Sequence, residues 1–232
     1  MTRLWKRIPM ALRAVLWTLL MVLALLLLWS SLDFAVPSPV LAVGMAQRQA
    51  LFGPGQITAS GDIALDDGFR PQSNEGGRWY VVRDGGHAAT VVLRRVSGFL
   101  WTTEDRDHPM QIHLLSEDVP LSYTWVGYGY QLDAAGQPNS TTTQQLVCIC
   151  AYDDRFARVE ATMSPNPPSP QDMTPEEQAA WRADHAATVT AVPAGDRVWT
   201  ALITLEDSAS FSSLTRLKGY DAQGNLIYDS AP

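Results

Sequence analysis

The chain has 232 residues, with 17 Lys and Arg against 24 Asp and Glu, for a net charge of −7. The first 32 residues hold Arg3, Lys6, Arg7 and Arg13 and no acid, so the rest carries 13 basic residues against 24 acidic ones, a net of −11. So acidic a domain lacks the electrostatic footprint for phosphate backbones, and nucleic acid is not an expected partner.

Residues 14–32 read AVLWTLLMVLALLLLWSSL, an uncharged run dense in Leu. At about 1.5 Å per residue, a helix of this run spans roughly 28 Å, close to the hydrocarbon thickness of a bilayer. Every basic residue of the region precedes it, and the first acid, Asp33, follows. The positive-inside rule therefore predicts a cytoplasmic N-terminus and a domain outside the cytoplasm. Trp5 and Trp29 suit the two interfaces. A cleaved signal peptide is the competing reading, with Val40-Leu41-Ala42 as small residues for a peptidase. The run is longer than the 7–15 residues of a signal core, and the site lies far downstream, so an anchor is expected.

Ser38 as N-cap, Pro39 at the first helical position and Gly53 past the end predict a juxtamembrane helix over 40–52. From Gln56 onward the texture is β. The runs 78–84, 87–96, 122–132, 144–152, 156–163, 187–192, 197–206 and 214–220 are rich in Val, Thr, Tyr and Trp and are parted by Gly, Asp and Pro. Asp84-Gly85-Gly86 is a hairpin signal. Asp133 to Gly136 and Asp221 to Gly224 share one turn pattern, with Asp opening a type I turn and Gly taking the left-handed position. Five prolines, at 165, 167, 168, 170 and 175, interrupt the strands. Thr174-Pro175-Glu176-Glu177 then reads as a capping box opening a helix through His185. The stretch 164–186 is expected to be an excursion between paired strands of one mainly β, antiparallel, sandwich-like domain running from 54 to 232.

Cys148 and Cys150 are the only cysteines. On a strand they share one face with Leu146 and Tyr152, while Val147, Ile149 and Ala151 share the other, which predicts a strand buried on both sides. Buried free thiols are expected, with a strained or redox-active bridge as the alternative.

Glu104-Asp105-Arg106-Asp107-His108, with His113 five residues on, is the densest polar cluster. Asp105, Asp107, His108 and His113 are the candidate metal ligands, since carboxylates and imidazoles bind hard or borderline cations. Their spacing matches no EF-hand, HExxH or zinc ribbon, and a solvated turn accounts for the loop better. No G-x-S-x-G is present, no catalytic residue is singled out and no cofactor is implied. Asn139-Ser140-Thr141 matches a glycosylation acceptor and carries little weight.

The segments ARVEATM, ATVTAV and LTRLKGYDAQGNLIYDS of the C-terminal third resemble the closing part of uncharacterised membrane-anchored or secreted proteins of Gram-positive bacteria. Those proteins look like small β-sandwiches ending in a YDxxG hairpin. The resemblance implies location and a β fold, and it transfers no activity. The leading reading is thus a tethered, non-enzymatic binding or interaction module of the cell envelope, held by the lipid bilayer and engaging another envelope or membrane protein. An envelope hydrolase, metal-assisted through residues 104–113, and a sensor or accessory subunit of a membrane complex are the alternatives.

Overall fold

The computed structural model describes residues 9–31, 34–71, 76–133, 136–167, 169–206 and 212–230, with backbone alone at 138–141. Arg3, Lys6, Arg7, Trp5 and Asp33, the flanks of the apolar run, lie outside the described residues, as do the side chains of the glycosylation sequon. Helix α1 is Met10–Ser31, 22 residues with no buried side chain. It is long and apolar enough to cross a membrane, a description that fits an anchor and a signal sequence alike.

Helix α2 is Pro39–Gln49, shorter at its C-terminal end than the sequence suggests. Ser38 occupies the N-cap position without making a side-chain cap bond, so Pro39 alone sets the start. Leu51, not Gly53, takes the left-handed conformation after the helix, and the Phe52 N–H returns to the Gln47 carbonyl at 2.9 Å. Gln47 then binds the Gly55 carbonyl, which turns the chain out of the helix early.

Fourteen strands follow among the described residues: β1 Gln56–Asp62, β2 Phe69–Pro71, β3 Arg78–Asp84, β4 His87–Val96, β5 Leu100–Thr103, β6 Gln111–His113, β7 Leu121–Leu132, β8 Pro138–Ala151, β9 Arg158–Ser164, β10 Ala187–Thr190, β11 Val192–Gly195, β12 Val198–Leu205, β13 Ser213–Tyr220 and β14 Leu226–Asp229. A ten-stranded sheet runs β2-β7-β8-β12-β11-β1-β3-β4-β5, with β6 also on β4, and a four-stranded sheet runs β10-β9-β13-β14. The protein is mainly β and antiparallel, as its strand texture predicts. β3 and β4 meet through the two-residue turn Gly85-Gly86, with Asp84 opposite His87. Gly136 and Gly224 both have positive φ, at 73° and 84°, and Asp133 and Asp221 accept the backbone N–H groups that close their turns.

The run at 187–192 is not one strand. β10 pairs β9 in the small sheet and β11 pairs β12 in the large one, so the chain changes sheet at Ala191. Ala191 is buried there, and its N–H still bonds the Val159 carbonyl at 2.8 Å. A strand that switches sheets is how two packed β layers turn a corner. Between β9 and β10 lies the proline-rich excursion, and helix α3, Pro175–Asp184, is opened by the capping box of Thr174 and Glu177.

The large sheet is curled, and each side of it is covered. On one outer flank, Val147, Ile149 and Ala151 of β8 and Trp199, Ala201, Ile203 and Leu205 of β12 meet Val159, Ala161, Met163 and Leu217 of the small sheet. On the other flank, Ala42, Val43 and Ala46 of α2 cover Tyr80, Val82, Val91 and Leu93. Inside the curl sit Trp79, Val81, Ala88, Val126, Leu146, Cys148, Cys150 and Val198. A side chain such as Ile149, fully buried, contributes about 1.5–3 kcal/mol of transfer free energy, so these faces hold the architecture.

Candidate functional site

The acidic and histidine-bearing loop is a self-capped turn. Asp105 Oδ1 accepts the backbone N–H groups of Asp107 at 2.9 Å and His108 at 3.0 Å, and Oδ2 lies 3.4 Å from the His108 ring. The bond from the His108 N–H holds the Asp105 carboxyl below its ordinary range, with burial opposing slightly. Asp105 and His108 line a recess of about 170 Å³ whose floor is Thr90 and Thr124 and whose walls include Met110 and Trp125. Asp107 does not line it. His113 is somewhere else altogether: on β6, buried inside the curl, with Nε2 2.7 Å from Thr90 Oγ1 and Nδ1 3.1 Å from Ser122 Oγ. Asp105 and His108 thus share a surface turn, and His113 lies beneath its floor. Among the described residues, no three or more His, Cys, Asp or Glu side chains are placed to hold one metal ion.

His113 instead completes a second cluster. β8 is the strand between β7 and β12, so both its faces are covered, and residues two apart point the same way. Leu146, Cys148 and Cys150 point into the curl with no solvent at either sulfur, and both cysteines are free. In register, Ser122 and Thr124 of β7 face Cys150 and Cys148. On the opposite wall, β4 brings Thr90 and β6 brings His113, because β6 folds back onto β4 with Ala88 opposite His113. The His113–Ser122 bond joins β6 to β7 and draws the curl shut. In a neutral imidazole one nitrogen donates and the other accepts, so either tautomer serves both hydroxyls.

Arg83 ends β3 at the same cluster. It is buried, 6 % exposed, and its Nη2 donates to the carbonyls of Ala151 at 2.8 Å and Arg197 at 3.2 Å. Among the described residues its Nε has no partner. Burial pushes the guanidinium below its usual basicity, and the negative charge that Cys150 and Cys148 can carry pulls it back. The nearest carboxylate it senses, Asp196, is exposed and turned to Arg197 at 3.5 Å. The two thiols split. A hydrogen bond from Cys148 holds Cys150 well below the ordinary thiol range against the cost of burial, with help from His113 and Arg83. The same bond, burial and the neighbouring charge push Cys148 well above it.

The cysteines stand where their spacing places them. Arg83, Thr90 and Ser122 are the members that sequence reasoning missed, and His113 was assigned to the wrong group. A charged residue on the inward parity of RWYVVRD, in line with Trp79 and Val81, is the signal that could have pointed to Arg83. Neither a comparison with protein-family models nor one with curated proteins gives a match.

Proposed function

We propose that the chain is a single-pass membrane protein whose β domain stands outside the cytoplasm and acts as a non-enzymatic binding module at the cell envelope. The observation that carries this reading is α1, whose 22 residues bury no side chain against the rest of the chain and leave an apolar exterior with the bilayer as its natural solvent. At its exit Trp29 packs edge-on to Phe34, 5.3 Å between centroids, and Arg106 stands 5.1 Å over that ring. Aromatic rings with a cationic neighbour suit a headgroup interface. The basic flank before α1 and the net charge of −11 after residue 32 favour an outward domain. The likeness of the closing hairpin to envelope proteins of Gram-positive bacteria agrees. Cys150 and His113, the groups best suited to nucleophilic chemistry, are sealed from solvent, which favours binding over catalysis. The partner in this reading is another envelope or membrane protein.

A reporter fused after Pro232 will be active only in its extracytoplasmic form, with the protein in the membrane fraction. Recovery of a soluble chain starting near Val43 would replace the anchor with a cleaved signal. A metal-assisted hydrolase would have Asp105, Asp107 and His108, with or without His113, share an ion. A metal of micromolar Kd at about a hundredfold excess would then add roughly 2.7 kcal/mol of stability. Calcium, magnesium or zinc will produce no stabilisation that His108→Ala removes; the opposite result would put the hydrolase first.

A further inference from the structure

We propose that Cys148 and Cys150 form a two-coordinate site for a soft monovalent d10 cation, Cu(I) above all, inside the curl of the large sheet. Residues i and i+2 of a strand lie roughly 6.6 Å apart along the chain, at the upper end of the Cα separations a disulfide tolerates. An S–S bond of about 2.05 Å would require β8 to buckle out of its pairing with both β7 and β12. An ion between two sulfurs needs them about 4.6 Å apart, taking some 2.3 Å per metal–sulfur bond, which parallel side chains reach by leaning together.

The donor set selects the ion. Thiolates favour soft cations, and zinc demands four ligands where this face offers two. Both ring nitrogens of His113 are engaged by Thr90 and Ser122, which leaves the imidazole beside Cys150 as a hydrogen-bonding neighbour and not a third ligand in this proposal. Charge selects it again. Coordination leaves both thiols deprotonated, and two thiolates with one monovalent ion carry a net charge of −1. Arg83, buried, with its Nε unpartnered among the described residues and with Asp196 paired to Arg197, supplies the balancing +1. A divalent ion would leave that guanidinium uncompensated in the core, which is costly. The route in is the recess above Thr90 and Thr124, where the thioether of Met110 is a soft donor, the imidazole of His108 a borderline one that also binds copper, and Thr124 the cross-strand neighbour of Cys148.

The test uses the reduced full chain in detergent micelles, without oxygen, titrated with Cu(I) held by a competing chelator. One equivalent per chain will leave the chelator, with affinity falling on acidification as protons compete for the thiolates. X-ray absorption of the loaded wild-type protein will show two sulfur neighbours and no nitrogen, a readout that needs no variant to fold. Cys148→Ala and Cys150→Ala, each checked for folding by circular dichroism, will each lose more affinity than the roughly 100-fold that removing an outer partner costs. Arg83→Lys, which keeps the charge, will bind more tightly than Arg83→Met. Failure of the folded wild-type chain to take Cu(I) from the chelator, a third ligand in the spectrum, or unchanged affinity in the double cysteine variant would each overturn the proposal. None of these results depends on which side of a membrane the domain occupies.

Discussion

β8 has two faces, equally buried and chemically opposite. Val147, Ile149 and Ala151 meet only apolar neighbours of the small sheet, whereas Cys148 and Cys150, one residue away each, share the curl with Arg83, Thr90 and His113. The outer face is held by volume and shape, which any residue of the right size satisfies. The inner face is held by partners, each needing the others, so that loss of one strands its neighbour. The two faces should therefore fail in different ways when cut.

The largest effect is expected on the outer face. Ile149→Ala removes a wholly buried side chain from a layer clamped by two sheets, and stability measured by urea unfolding will fall by about 2–5 kcal/mol. Labelling of Cys148 and Cys150 by a thiol reagent, which in the wild-type protein waits for opening, will accelerate by about tenfold for each 1.4 kcal/mol lost. On the inner face, His113→Ala leaves the Thr90 and Ser122 hydroxyls short of a partner, and urea unfolding will report a cost of about 1–3 kcal/mol for each group left unsatisfied. Adding Thr90→Val to that variant removes the stranded hydroxyl at nearly equal volume, so the double variant will be more stable than the sum of its single changes. The same pair of changes on the outer face would simply add. Strict additivity at His113 and Thr90 would erase the contrast between the faces.

The smallest effect belongs to helix α3 of the excursion, which buries no side chain. Thr174→Ala removes the Thr174–Glu177 cap, and amide exchange will show α3 fraying while the global melt stays where it was. Acid does the same by another route. The bond from the Thr174 backbone N–H holds the Glu177 carboxyl below its ordinary range. Its contribution is therefore complete above the unfolded-state value and is lost as pH falls through the lower folded-state value. The protection of the α3 amides, taken relative to the intrinsic exchange rate at each pH, will fall across that acid window and nowhere above it; a loss of protection near neutral pH would sink the assignment.

The amino-acid sequence by itself determined whatever is set by a few adjacent residues. The apolar run of α1, the capping box of α3, the Gly85-Gly86 hairpin and the two Asp-to-Gly turns were all legible, because backbone geometry and hydrogen bonds within four residues decide them. So was the double burial of β8, which follows from alternation alone. Only the tertiary structure decided the rest. The helix α2 ends at Gln49, with Leu51 left-handed beyond it, because Gln47 finds Gly55 across the turn, which local glycine preference does not foresee. The strand at 187–192 splits because the two sheets it joins need a corner at Ala191. His113 leaves the acidic loop that precedes it because β6 pairs with β4, and that pairing turns its ring toward residues 23 positions before it and nine positions after. Arg83 reaches the carbonyl of a residue 68 positions away. A site assembled from five strands has no spacing to read, since the distances that matter are those between strands of the sheet and not those along them.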